Sequence, residues 1–258
     1  MNFFKELILE TPLEAPARSL IKLFRKKKES EWNLRIKRDS ENIKLLLHNI
    51  LRTDSNCVDI GANQGEFLTL FSQLCPSGEH YAFEPLPKLA QGLVENFSHV
   101  KVFNCALSNR AGRTTFYCVP GYEAWSGLQK QHYPAKVNPV EIEVEIKRFD
   151  DVIEDKIQVD FIKIDVEGAE FEVLQGAELT IKRCKPTILF EHAKIHNQEY
   201  GTTPDIIYDF LADTCGLEIL ELQMSRVLTK ELFCDIYESS FDSNYDRNAQ
   251  TNFIARPR

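Results

Sequence analysis

Val58-Asp59-Ile60-Gly61-Ala62-Asn63-Gln64-Gly65 is the stretch on which the fold of this chain turns. Residues 57–60 read as a short apolar strand that carries an acid near its end. The chain then turns on two glycines and enters a helix at Glu66. That pattern is the first β-α turn of an open α/β sheet, where a cofactor is cradled. A dinucleotide loop is usually G-x-G-x-x-G, with glycines that let the backbone approach a pyrophosphate. Here the spacing is G-x-x-x-G, with Asn63 in place of the second glycine. Such a loop turns tightly but leaves less room for a diphosphate. It suits a ligand with a ribose and an amino-acid tail, S-adenosylmethionine (SAM).

Working outward, strands and helices alternate. Glu66–Leu74 is a predicted helix, stopped by Cys75-Pro76-Ser77-Gly78. Strand 80–83 follows, then a helix over about 87–97 and strand 100–105. Further on come strand 158–164, helix 169–184, strand 187–190, helix 204–212 and strands 217–222 and 251–255. Strands separated by helices predict a mostly parallel sheet with helices on both faces and right-handed crossovers. Two stretches, 114–119 and 140–147, have strand character with no helix between them. They predict a β-hairpin insertion whose long loop, 120–139, is of a length that is more often functional than idle. Residues 224–250 read as irregular. Residues 1–54 read as an N-terminal helical arm, with Ile43, Leu46, Leu47 and Ile50 at helical spacing, and 55–258 as the catalytic domain.

The candidate site residues sit at strand ends. Glu84 directly follows the second strand, where a carboxylate can accept hydrogen bonds from both hydroxyls of a ribose. Asp59 is read both as an acid capping the turn and as an attractor for the cofactor's amino group. With Gly61, Asn63 and Gly65 it forms the cradle. Asn104, Ala106, Leu107 and Ser108 are placed at the end of the third strand, where an adenine would lie, or are an ordinary strand end.

The second informative segment is Asp160-Phe161-Ile162-Lys163-Ile164-Asp165-Val166-Glu167-Gly168-Ala169-Glu170. Its strand lies beside the first across the topological switch point, so Asp165 faces the reactive end of the cofactor. Glu167 and Glu170 are read either as site residues or as acids satisfying a helix N-terminus. Lys163, in an otherwise apolar strand, is expected to pair with a carboxylate, since an unpaired buried charge is costly. A role as base is the other reading. Glu191-His192 ends the next strand on the same rim. Methyl transfer from a sulfonium to a hydroxyl needs in-line positioning and removal of one proton. His192 has the pKa range for that task, with a surface histidine as the plainer reading. Glu191 is read as an orienting acid, as the base, or with Asp165 as an oxygen ligand for a Mg2+-type ion. Trp125-Ser126-Gly127, His132 and Tyr133 are read as a lid or as a flap without a catalytic role.

Charge is uneven. Residues 1–38 hold ten Lys and Arg against five Glu, a net of +5, so with −8 for the whole chain the remainder carries −13. An acidic catalytic domain argues against nucleic acid as substrate. The apolar and basic run 18–28 is read as a membrane-surface or partner-docking helix, or as an arm over the domain's own flank. Seven cysteines, an odd number without a C-x-x-C pair, argue for a reducing cytoplasm and against a zinc site or a disulfide framework. No apolar run is long enough to span a membrane, and no secretory signal is legible.

Taken in order and spacing, the loop 58–65, Glu84-Pro85, Asn104 to Ser108, Arg148-Phe149-Asp150-Asp151, Ile162 to Glu170, Val173 to Ala177 and Pro186 to Glu191 resemble the FkbM family of SAM-dependent methyltransferases. The resemblance spans roughly 55–192, with an ending at Asn252 to Ala255. It implies a class I methyltransferase (Rossmann-like) fold and O-methylation of a hydroxyl on a small-molecule or glycan substrate, of sugar, polysaccharide or polyketide type. No role is carried over to Trp125. Two other readings stand beside it. One is a methyltransferase-like module that binds SAM without turnover. The other is an NAD-dependent oxidoreductase, which would need the missing glycine and a Tyr-x-x-x-Lys pair that stands at no fitting position.

Overall fold

The computed structural model describes residues 33–131, 133, 136–240 and 250–258. The basic run 18–28, most of the N-terminal arm and His132 lie outside them. A helix over 33–50, here α1, precedes β1 (Cys57–Ile60). There follow α2 (Glu66–Leu74), β2 (His80–Phe83), α3 (Pro87–Asn96), β3 (Val100–Phe103), β4 (Ala106–Leu107), β5 (Gly112–Cys118), β6 (Val140–Lys147) and β7 (Phe161–Ile164). The rest comprises α4 (Glu170–Gly176), α5 (Glu178–Cys184), β8 (Thr187–Glu191), α6 (Lys194–Asn197), α7 (Pro204–Asp209), β9 (Leu217–Glu221), α8 (Lys230–Ser239) and β10 (Asn252–Pro257).

Among the described residues, seven strands form one sheet in the order β3-β2-β1-β7-β8-β10-β9. β1 pairs in parallel with β2 and β7, and β10 runs antiparallel between β8 and β9. The strand order reverses between β1 and β7, which is the switch point where α/β sheets bind their ligands. Both faces are covered, as near-continuous apolar parallel strands require. Val58, Ile60, Ile162 and Ile164 pack on one face with Val173 and Leu174 of α4, Ile181 of α5 and Phe233 of α8. Cys57 and Phe161 pack on the other with Leu46 and Leu47 of α1 and Leu68 and Phe71 of α2. Asp59 and Lys163 belong to that second face and lie opposite each other in the β1–β7 register.

The hairpin expected from 114–119 and 140–147 is present as β5 and β6. It belongs to a second sheet, in the order β4-β6-β5. The strand read as 100–105 therefore stops at Phe103, and Ala106–Leu107 pairs in parallel with Ile146–Lys147 instead. Helix 169–184 is two helices that meet at Ala177. The larger difference falls in 224–250, read as irregular. Thr229 caps a ten-residue helix, α8, its side chain accepting from Leu232 N at 3.3 Å. The helix drives Phe233 and Tyr237, one turn apart, into the core.

Candidate active site

Gly61 begins the cradle. It sits at φ +75°, and a Cβ there would come within 2.0 Å of the Asp165 carbonyl, so the β1 and β7 loops meet over a glycine. Gly65, at φ +83°, caps α2, and a Cβ would press on the Phe97 ring at 2.5 Å. Between them Asn63 adopts φ +48°, a left-handed conformation that Asn tolerates better than most residues. That turn aims the Asn63 amide at Glu84, whose Oε2 accepts from it at 2.8 Å, while Oε1 accepts from Leu86 N at 2.9 Å. Burial lifts the Glu84 pKa above the usual carboxylate range, against the pull of those two amides. Asn104 grips the same segment from below. Its side-chain amide donates to the carbonyls of Glu84 (2.9 Å) and Pro85 (3.0 Å).

A cleft lies over this loop. Gly61, Asn63, Glu84, Ala106, Leu107 and Asp165 line it, as do Phe83, Leu86, Phe116, Ser126, Leu128 and Glu167. The lining thus combines polar side chains with apolar ones. Glu84 keeps lone pairs beyond its two amide bonds, which fits a diol. Ala106, Leu107, Phe116 and Leu128 suit a flat heteroaromatic ring. Ser126 and Leu128 come from the long hairpin loop, so part of the segment read as a lid or as a flap borders the cleft. Trp125 instead stacks on Tyr122, with ring centroids 4.3 Å apart. Phe116 and Leu128 escaped the sequence reading because only the docking of the second sheet brings them here.

Asp59, Gly65, Asn104, Glu191 and His192 do not line this cleft. Asp59 is buried beneath it. The Lys163 ammonium lies 3.2 Å from Asp59 and 3.8 Å from Asp165, and donates to the Gly61 carbonyl at 2.7 Å. The Asp59 contact is close but poorly directed, since neither of its oxygens accepts a well-aligned hydrogen bond. Charge compensation therefore holds the pair. Burial opposes the Lys163 charge, yet Asp59 and Asp165 outweigh it and raise the pKa above that of an ordinary lysine.

Asp165 also lines a second cleft, bounded by α1, α2 and the ends of β7, β8 and β10. Ser40, Ile43, Glu66, Phe67, Lys163 and Glu191 contribute to its walls. Asp165 and Glu191 are therefore brought together. Burial, with Asp165, Glu167 and Glu170 near, pushes the Glu191 pKa up to about 8 against the opposing charge of His196. Among the described residues no group of three His, Cys, Asp or Glu side chains converges to hold a metal ion, so the predicted Mg2+-type pair has no third protein ligand.

His192 was expected on the rim and is not there. It is fully buried. Its ring stacks on Tyr237 at 4.4 Å and on Phe233 at 5.6 Å, both from α8. Burial drives its pKa down to about 3. The unpredicted α8 is the reason, because it covers the end of β8. Glu170, read as a site residue or as an acid at a helix N-terminus, braces the loop that carries Asp165 instead: Oε1 accepts from the amides of Val166 (3.1 Å) and Gly168 (3.0 Å). All seven cysteines are free, and no helix of the described residues is long and apolar enough to cross a membrane.

Residues 59–218 match the family model described as the methyltransferase FkbM domain. The chain is 32% identical over 154 residues to methyltransferase sdnD of Sordaria araneosa, covering 47% of this chain and 60% of that protein. It is 30% identical over 150 residues to the 2-O-methyltransferase NoeI of Sinorhizobium fredii, covering 52% and 62%. The chain thus spans about three fifths of the length of these relatives. A methyltransferase FkbM from Methylobacillus flagellatus superposes with a TM-score of 0.50 at 20% identity, over 80% of this chain and 44% of that one. The fold is that of the class I methyltransferases.

Proposed function

This chain belongs to the FkbM methyltransferase family, and from that premise we propose that it transfers the methyl group of SAM to a hydroxyl of a small-molecule or glycan acceptor. The observation that carries the reading is the place of Asp165, which lines both the cleft over the glycine loop and the second cleft beside it. A donor in the first and an acceptor in the second would meet at that residue.

The residues fit the donor. Glu84 would take the ribose hydroxyls, and Ala106, Leu107, Phe116 and Leu128 would enclose the adenine. Asp165 and the Gly61 backbone would face the amino-acid tail. When bound, SAM supplies an electrophilic methyl on a sulfonium. The protein's part is then to align the acceptor oxygen and to remove its proton. Glu191 is suited to that removal, since a pKa near working pH gives both a sizeable ionised fraction and useful basicity. Asp165, half exposed between the clefts, would orient the hydroxyl. O-methylation agrees with the naming of the relative NoeI as a 2-O-methyltransferase. The acceptor is proposed to be a sugar, polysaccharide or polyketide-type hydroxyl, and the setting cytoplasmic.

Calorimetric titration with SAM and S-adenosylhomocysteine tests the donor. Methyl transfer from labelled SAM to a panel of hydroxylated glycans and macrolides tests the acceptor. Absence of binding by either nucleoside in folded protein would sink the proposal. Binding without transfer to any acceptor would favour a module without turnover.

A further inference from the structure

The loop that carries Asp165 is fastened to the hairpin loop by side chains that the methyl-transfer reading leaves unused. Residues 127–131 form the inner limb of the lid. Its base is tied to β5 by the paired backbone bonds of Tyr117 and Gly127, at 2.9 and 3.2 Å. Farther along, Gln129 N donates to the Tyr200 hydroxyl at 3.1 Å. The Gln131 side chain donates to the Glu167 carbonyl, and its Oε1 faces His196 Nδ1 at 3.1 Å. That nitrogen also lies 2.9 Å from Glu167 Oε2. His196 Nδ1 thus faces two acceptors, Gln131 Oε1 and Glu167 Oε2.

Glu167 sits at φ +58°, a conformation costly for a residue with a side chain and kept only where surroundings hold it. It also lines the inner cleft. Asn197, next to His196, donates to the Gly168 carbonyl at 3.0 Å and to Glu170 at 3.2 Å. One short segment, His196 to Tyr200, thus grips the Asp165 loop on one side and the lid on the other.

We propose that His196 is a positioning residue: paired with Glu167 and bonded to Gln131, it fastens the inner limb of the lid to the loop that presents Asp165. The inference rests on the reading of the inner cleft as the donor site. The carboxylates facing His196 are Glu167 from the β7–α4 loop, Glu191 from β8 and Glu170 from α4. Burial alone would lower the imidazole pKa, yet Glu167 and Glu191 outweigh it and raise it to about 10. Glu167, the nearest carboxylate, thus favours the charged ring, and a charged ring's hydrogen bond to Gln131 is charge-assisted, roughly twice as strong as a neutral one.

Hydrogen exchange over residues 119–131, with and without S-adenosylhomocysteine, is compared between the full-length chain and its His196→Ala, Gln131→Ala and doubly substituted forms. Affinity for S-adenosylhomocysteine is measured on the same proteins. Each single substitution is expected to speed exchange in this segment more than in the sheet and to weaken the ligand about tenfold, with the double no worse than the weaker single. A folded His196→Ala protein with unchanged lid exchange overturns the proposal, and so do fully additive effects. A uniform loss of protection across the domain overturns it too, since that marks a merely structural residue. Should His196→Ala fail to fold, Gln131→Ala tests the same bond from the loop side. If the ligand does not bind the unaltered chain, the donor reading fails, whereas exchange in the ligand-free proteins still decides the fastening.

Discussion

Lys163 Nζ lies 3.2 Å from Asp59 Oδ1 across the β1–β7 pairing, with both side chains buried. The two charges join the strands that carry the glycine loop and Asp165. Removing one leaves the other uncompensated in the core, which costs about 3–5 kcal/mol. Lys163→Met is therefore expected to lower unfolding free energy by that amount in a denaturant titration. Adding Asp59→Asn should recover part of it. An unchanged midpoint in the single variant would show that the pair carries no weight.

Glu84 holds the loop and the ribose position at once. Glu84→Gln keeps one acceptor oxygen but turns an amide NH2 toward Asn63 N or Leu86 N, a donor against a donor. Leaving one such buried amide unpaired costs about 1–3 kcal/mol. Affinity for S-adenosylhomocysteine should fall at least about tenfold, while the melting temperature shifts by only a few degrees. Calorimetric affinity within twofold of the unaltered chain would remove Glu84 from the donor site.

How legible these features were depends on the range of the interactions that make them. β1, β2, α2 and β6 were readable to the residue, because apolar period and the Gly and Pro stops around them are local signals. The places of Glu84 and Asp165 on the cleft wall were readable as well, since strand ends at a switch point border the crevice between the loops. His192 was not. Its fate is decided by α8, forty residues on, whose Leu232, Phe233, Ile236 and Tyr237 recur at helical spacing within an acidic stretch. Nothing local says that this helix folds back over β8. Phe116 and Leu128 were hidden likewise, because they become cleft walls only when the second sheet docks.

Glu191 sets the expected pH dependence of turnover. Its pKa is raised to about 8, so the carboxyl is largely neutral below that pH and ionised above it. A base must be ionised to accept the acceptor's proton. The logarithm of kcat should therefore rise by one per pH unit up to about pH 8 and then level. Glu191→Gln should remove that rise and lower kcat by about a hundredfold or more, with little change in S-adenosylhomocysteine affinity. A profile flat from pH 6 to 9 in the unaltered enzyme would assign the proton to another group.

His192 makes the opposite prediction, of stability without catalysis. Its ring is sandwiched under α8 and lines neither cleft, so His192→Phe should preserve the stack and leave turnover within about threefold, a small shift in barrier. The pH response should differ. The folded pKa is lowered to about 3, whereas an unfolded histidine takes up its proton near 6.5. Between those values the unfolded chain binds more protons, so stability falls as pH falls, by up to about 1.4 kcal/mol per pH unit. Phenylalanine has no such proton. From pH 6.5 to 5 the unaltered protein should lose about 2 kcal/mol more than the variant, read as diverging denaturant midpoints. Parallel curves would mean that the imidazole is protonated in the fold. A hundredfold loss of turnover in folded His192→Phe would return His192 to the reaction.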